Sequence, residues 1–431
     1  MAQTKVKDGL IDGTFGTEWV STIQTSNFTA VAGEGYFVNT TSAAITVTLP
    51  GSPTAGDEVS IVDYAGTADT NNITITSSDN INGSSNDVKI DYERGGVSMV
   101  YVDATQGWIA YNANNETAQA LVSDLPLTVD YLVVAGGAGG GSGYRSGGGG
   151  AGGLRTSYAT QGGAQTEASV LNLDINTDYT VSVGPGGGVN SEANGSNGTN
   201  STFSNITAVG GGGGGAPYTP DSDGSNSTGG SGGGGGGYTG DAGEGGTSGT
   251  YGYDGGNGDG LGYQCGGGGG GAGAVGNNGG NGSNDGDGGI GVVVNILNSA
   301  NAATESVGEV SGSDVYYAGG GGGGNYGGGN VTIGGLGGGS AGGSYISTYT
   351  DTSNASPNTG GGGGGSSASS GEGSAGVGGS GGSGVVILRY PNTYTISETT
   401  SPTVLSFNTY TEGSDKVTVF TSGENGTIQF S

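Results

Sequence analysis

Over residues 28–113, apolar and polar residues alternate with a period of two, the pattern of strands that bury one face. From Phe28 the segments FTAVAG, GYFVNTT, AITVTLP, DEVSIVDYAG, NNITITSS, VKIDYE, GVSMVYVD and GWIAYN follow one another, separated by Gly, Pro, Asn and Asp. Short strands with turn signals this close predict a small antiparallel sandwich or jelly roll over residues 28–113. Residues 1–27 lack clear periodicity, with Phe15 and Trp19 as isolated large apolar residues, and are expected to serve attachment or assembly. Residues 114–125, NNETAQALVSDL, form the one segment with a helical pattern, with Asn114 or Asn115 as N-cap, inside a connector over 114–128.

At Val129 the pattern changes. The stretch VDYLVVAGGAGGGSGYRSGGGGAGGLR passes from an apolar strand into glycine, and further runs follow at Gly210–Gly215, Gly229–Gly237, Gly266–Gly273, Gly319–Gly329, Gly334–Gly343, Gly360–Gly365 and Gly371–Gly384. Apolar strands bracket them at Tyr131–Ala135, Tyr179–Val183, Ile290–Ile296, Val315–Ala318 and Val385–Tyr390. Residues 129–391 therefore read as one glycine-rich domain. Alternation returns in TYTISE, TVLSFNTY, DKVTVFTS and GTIQFS, which predict a small C-terminal β-unit over 392–431.

Glycine at this density permits two readings. It loses the most backbone entropy on folding, and Gly/Ser tracts commonly behave as flexible linkers. Alternatively, the runs adopt the polyproline-II conformation, with three residues per turn, a rise of about 3.1 Å and no internal hydrogen bonds. Without side chains, such helices approach closely enough to satisfy each other's peptide groups. Many runs of similar length, bracketed by apolar strands, favour the second reading, since a linker has no reason to be cut into matching pieces. Nine residues would span about 28 Å. The expected fold class is all-β with a polyglycine-II helix bundle. Between the runs, Ala216–Thr228, Tyr238–Gln264 and Ser344–Thr359 carry turn chemistry and are expected at the strut ends.

Composition narrows the partners. Of 431 residues 108 are glycine, without collagen's strict every-third-residue period or its proline. The formal charge of −29, from 37 acidic and 8 basic residues, argues against nucleic acid and against anionic membrane surfaces. No stretch approaches the length of a membrane span, and MAQTKVKDGLIDGTFG has no signal-like apolar core. A single cysteine, Cys265, precludes an internal disulfide framework and fits folding in a reducing cytosol. A surface-protein composition without an export signal suits a virion component, assembled in the host cytoplasm and extracellular after lysis.

Candidate chemistry is sparse. The absence of histidine removes His-dependent triads and His-liganded zinc. No glycine run is followed by the Lys-Ser/Thr of a phosphate-binding loop. Cys265 reads as a small buried residue at the start of a strut. GGNGDGLGY and GGNGSNDGDGG loosely resemble a calcium-binding nonapeptide, leaving Asp285 and Asp287 as weak calcium candidates against the reading of ordinary turn acids. A glycosidase carboxylate pair cannot be located, so no enzyme and no cofactor are expected. The 22 tyrosines against 7 phenylalanines give the best binding signal. Tyr218, Tyr251, Tyr253, Tyr263, Tyr345 and Tyr349 fall in the inserts, either as a recognition surface or as a roof over the glycine bundle.

YFVNTTSAAITVTLPGSPTAGDEVSIVDYAG and VSMVYVDATQGWIAYN resemble a module of tail-fibre and virion-fibre proteins of marine phages, especially cyanophages. The unit between YLVVAGG and GGSGVVILRYP resembles their glycine-rich domain, and KVTVFTSGENGTIQFS their terminal strand pair. In architecture the bundle is also similar to polyglycine-helix phage adhesins. The resemblance implies a non-enzymatic virion fibre or adhesin that attaches to a host-surface glycan or protein through its inserts, and to other virion proteins through its N-terminal segment. A structural fibre or self-assembling filament is the alternative. Exposed strand edges predict a homo-oligomer, with a trimer favoured.

Overall fold

In the computed structural model the described residues are 17–114, 122–123, 127–191, 193–217, 222–238, 241–260, 265–280, 285–326, 331–345, 349–350, 352–367, 376–400, 402 and 404–431. The chain divides into two units, Met1–Pro126 and Leu127–Ser431.

In the first unit the alternating segments form two five-stranded sheets. One has the order Glu18–Gln24, Glu34–Val38, Glu58–Asp63, Gly96–Asp103, Gly107–Asn114, and the other Val122–Ser123, Val88–Ile90, Ile73–Thr76, Ile45–Thr48, Phe28–Thr29. Inward residues of both, including Val38, Val59, Ile61 and Met99 from the first and Val47, Ile73, Ile75 and Ile90 from the second, meet in one core with Trp108. Each such side chain contributes about 1.5–3 kcal/mol on burial. The sandwich thus forms, but not as an antiparallel one. The chain passes from one sheet to the other after each early strand, so that Glu18–Gln24, Glu34–Val38 and Glu58–Asp63 pair in parallel, as do Phe28–Thr29, Ile45–Thr48 and Ile73–Thr76. Turn signals mark where a strand stops, not which sheet receives the next one.

The helical expectation over 114–125 is corrected where it can be compared. Asn114 ends a strand, and Val122–Ser123 pairs with Val88–Lys89 at a sheet edge. The rest of that segment, residues 1–16 of the expected attachment segment, and Tyr218 and Tyr263 lie outside the described residues.

The second unit is built on two larger sheets and a three-stranded one of order Val292–Val293, Asp314–Tyr317, Glu309–Ser311, from which glycine runs emerge. Of the first two, the larger has the path Leu154–Thr156, Leu127–Val134, Val385–Pro391, Asp415–Ser422, Ser406–Glu412, with Leu171–Leu173 paired to the start of Leu127–Val134. The other has the order Ile206–Ala208, Ser201–Phe203, Tyr179–Ser182, Gly426–Phe430, Ile396–Glu398. The C-terminal strands expected over 392–431 form, and they complete these sheets: Asp415–Ser422 pairs with Val385–Pro391, and Gly426–Phe430 with Tyr179–Ser182.

The larger sheet is buried on both faces. Tyr131, Val133, Val386, Leu388 and Tyr390 meet Phe203, Phe420 and Phe430 on one side, while Leu132, Val134, Val385 and Ile387 meet Val294, Ile296, Val315 and Tyr317 on the other. Hence YLVVA and VVILRY are continuously apolar instead of alternating. Arg389 is the one charge within that run. Its guanidinium holds Asp415 at 2.8 Å and Glu412 at 3.1 Å and donates to Ile296 O. Burial alone would lower its pKa, but the Asp415 hydrogen bond and neighbouring negative charge raise it on balance. Glu412 also accepts from Asn298, the N-cap of the short helix Ser299–Glu305, so one ion-pair cluster ties the helix to the sheet.

Beyond the sheets the glycine runs form a polyglycine-II bundle. Along strut 135–143, donors rotate among three neighbours with a period of three. Ala135, Ala138 and Gly141 N–H donate to Gly153, Gly150 and Gly147 O; Gly136, Gly139 and Ser142 to Thr199, Ser196 and Ala193 O; and Gly137, Gly140 and Gly143 to Gly382, Gly379 and Gly376 O. That period is the three-residue turn of the polyproline-II helix. Strut 146–153 sits inside the array. It donates to 209–215, 267–270 and 360–366, and accepts from 135–141, 231–234 and 321–324. Glycine is required by close approach: an added Cβ would lie 2.2 Å from Ala138 O at Gly149 and 2.0 Å from Gly149 O at Gly269.

Candidate functional site

Four struts connect directly to sheet strands, two leaving the sheets and two entering them. Strut 135–143 continues Leu127–Val134, 146–153 runs into Leu154–Thr156, 209–216 continues Ile206–Ala208, and 376–384 runs into Val385–Pro391. One end of the bundle is therefore the sheet end, and the opposite ends of the struts converge away from it. The far end is fixed by contacts among strut termini. Gly143 N donates to Gly376 O, Ser146 N to Ser366 O, Gly237 N to Arg145 O, and Gly324 N to Ser146 O, while Cys265 bridges to Asn325 and Asn325 to Ser344.

The far end carries aromatic residues that the insert pattern does not single out. Tyr144 and Tyr326 meet edge to face with ring centroids 5.1 Å apart, and the Arg145 guanidinium lies 5.5 Å from the Tyr326 ring. Arg145 turns the chain between two struts at a φ of 54°, in the left-handed region. The available signal was position, because Tyr144-Arg145 and Tyr326 directly interrupt glycine runs.

The four described tyrosines of the six named from sequence are not brought together. Tyr251 lies at the sheet end, half-buried, under the Arg155 guanidinium at 4.9 Å, and its carbonyl accepts from Leu154 N. Tyr253 is half-buried two residues on, its N–H donating to Gly271 O. Tyr345 and Tyr349 are register partners in the paired strands Ser344–Tyr345 and Tyr349–Thr350 at the far end.

The inserts differ from the sequence expectation. They are not confined to strut ends, since much of their length forms outer struts. In 222–228, 241–249, 253–259 and 352–358 the backbone bonds to neighbouring runs, as Ser225 N does to Gly213 O, Gly243 N to Gly236 O, Gly256 N to Gly268 O and Ala355 N to Ser380 O. Glycine recurs every third position where such a strut faces inward. At Gly243 and Gly246 an added Cβ would lie 2.2 Å from Ser222 O and from Ser225 O.

Where an outer strut meets its neighbour, Asn and Asp side chains replace missing peptide acceptors. Asn194, Asn197 and Asn200 Oδ1 accept from Ala216, Gly213 and Gly210 N at 2.6, 2.9 and 3.1 Å, a ladder with the same three-residue period. Asp223 and Asn226 accept from Glu244 and Thr247 N, and Asp254 and Asn257 from Ser248 and Gly245 N. Asn197 and Asn226, which stand in N-x-S/T triplets, thus serve strut pairing.

The weak metal candidates have other partners. Asp287 Oδ1 accepts from Ile333 N at 2.8 Å, and burial first, then the Asp285 charge, pushes its carboxyl up despite that bond. Among the described residues no group of three or more metal-ligating side chains converges. Cys265 is buried at the far end. Its Sγ donates to Gly266 O, and burial pushes the thiol up to about 12, the wrong direction for a nucleophile. Among the described residues no helix is long and apolar enough to cross a membrane.

The family model described as Glycine-rich domain matches residues 113–391. No curated protein matches the chain.

Proposed function

Since the chain belongs to the glycine-rich domain family, we propose that it is a non-enzymatic phage virion fibre or adhesin that attaches to a host-surface glycan or protein through the far end of its bundle. One observation carries the reading: strut turns gather at the end opposite the sheets, where Tyr144, Arg145, Pro217, Tyr326 and the Tyr345–Tyr349 pair lie. A hydrogen-bonded bundle holds that end rigidly, while turn sequences there can vary without touching the core. Aromatic faces beside a guanidinium suit glycan or protein recognition. Marine-phage fibres and the virion location belong to the same proposal, which rests on the resemblance of the quoted segments. A purely structural fibre is the rival. The Asn ladders speak against unlimited strut-to-strut growth, because they close several edges of the array with the chain's own side chains.

The test is binding of fluorescently labelled protein to candidate host cells, with Tyr144→Ser/Tyr326→Ser as the comparison. Removing Ser344–Thr359 is unsuitable, since 352–358 is a strut. Binding by the parent and its loss in the variant, with unchanged circular dichroism, supports attachment. Equal binding by both rejects this surface. Ordered filaments that ignore cells favour the structural fibre.

A further inference from the structure

The edges of the glycine bundle are not alike. From 184 to 384 the exposed large apolar side chains among the described residues are Val275, Ile290, Val310, Val331, Ile333 and Leu336. Five of them sit on three outer struts that bond to one another. Asn277 N donates to Asp287 O, Gly288 N to Ile333 O, and Gly291 N to Leu336 O. Ile333 is 60% exposed and Val275 54%, where other outer struts present Asn, Asp, Ser and Thr. Val310 extends the patch toward the sheet end, on the edge strand Glu309–Ser311, whose Glu309 accepts from Gly337 and Gly338 N.

The same side is open in its peptide groups. Among the described residues the N–H groups of Val275, Ile290 and Gly334 have no partner. On the side of 194–200 the outward N–H groups of Asn197 and Asn200 are likewise without a partner, but the side chains beside them are polar, so the aliphatic side chains are what set this edge apart. A surface combining aliphatic side chains with peptide groups repeating every three residues is matched by another strut of the same repeat. Struts here already pack in both directions: 146–153 runs antiparallel to 135–143 and parallel to 267–270. An antiparallel contact between two identical faces is therefore compatible with strut packing, and such a contact closes on itself.

We propose that this apolar edge, formed by Val275, Ile290, Val331, Ile333 and Leu336, is an isologous interface with a second copy of the chain. Contiguous exposed apolar surface is uncommon on soluble monomers and marks association sites. The carboxylates beside it, Asp287 and Glu309, are held by peptide N–H groups, and the chain carries −29. Salt should therefore tighten the contact by screening repulsion between copies.

Sedimentation velocity on the full chain at micromolar concentration tests this. A dimer is expected, more populated at high salt. Ile290→Asn/Ile333→Asn should weaken it by roughly a hundredfold or more, with circular dichroism unchanged. Ile175→Asn, exposed but off the edge, should leave it intact. A monomer at high salt, a trimer, or equal association of the edge variant and the parent would overturn the proposal. A folded control that also dissociates would overturn it too, by showing that the edge is not specific.

Discussion

The sandwich and the glycine bundle solve the same problem with opposite materials. In the first unit, buried Val, Ile, Met and Trp side chains fill the space between two sheets, and the peptide groups bond within each sheet. In the bundle the buried material is peptide itself. Strut 146–153 bonds to six neighbours, with Cβ positions already occupied by carbonyl oxygens. The first is held by apolar burial with sheet hydrogen bonds in support. The second is held by hydrogen bonds, each contributing about 0.5–1.5 kcal/mol net, against the high entropy cost of ordering glycine. A sandwich core therefore loses stability when a side chain shrinks, and the bundle when one is added.

That asymmetry sets the largest expected effect. Gly149→Val places a side chain where Ala138 O stands and should destabilise the second unit by about 4 kcal/mol or more. Amide exchange over 135–153 reads the loss. Ile61→Ala makes the opposite change in the sandwich and should cost about 3 kcal/mol through the cavity it leaves. Both tryptophans, Trp19 and Trp108, lie in the first unit, so their fluorescence follows that transition alone. If the glycine substitution is harmless, close packing of the struts is wrong.

Smaller effects sharpen the contrast at the bundle's edge. Asn197→Ala removes the acceptor of Gly213 N and should cost about 1 kcal/mol, whereas Asn197→Asp keeps an acceptor and should be nearly neutral. Equal loss from both, measured by denaturant unfolding, would deny the ladder its role. Below pH 9 the buried thiol makes no pH-dependent difference. Cys265 has its folded value raised from 9.0 to about 12 by burial, and fully buried Tyr317 is raised also. A raised folded pKa stabilises fully below the unfolded value and loses that contribution as pH climbs to the folded one. The second unit should weaken between about pH 9 and 12, with a shallower decline in Cys265→Ala; an unchanged decline would exclude the thiol as a cause.

Much of this was legible in sequence because two signals are local. Alternation in ITVTLP or VSMVYVD marks strands with one buried face, and unbroken runs such as GGGGGG at 210–215 mark interior struts. Strand direction in the sandwich was not legible, since a short polar connection looks the same whether it turns within a sheet or crosses to the other. The outer struts were hidden for another reason. NGSNGTN and DAGEGGTSG have the composition of turns, and only their three-residue spacing, set by neighbouring carbonyls, separates inward glycine from outward Asn. The far-end cluster of Tyr144, Arg145 and Tyr326 joins residues 181 apart in sequence between Arg145 and Tyr326, a proximity that topology alone creates.

Interior glycines are ordered by bonds between struts. Native-state amide exchange followed by NMR tests this most directly. The N–H groups of residues 147–153, flanked by almost no apolar side chains, should be among the slowest in the second unit, with outer-strut amides such as that of Ile290 far faster. Exchange of 147–153 at the rate of an unstructured glycine peptide would contradict it.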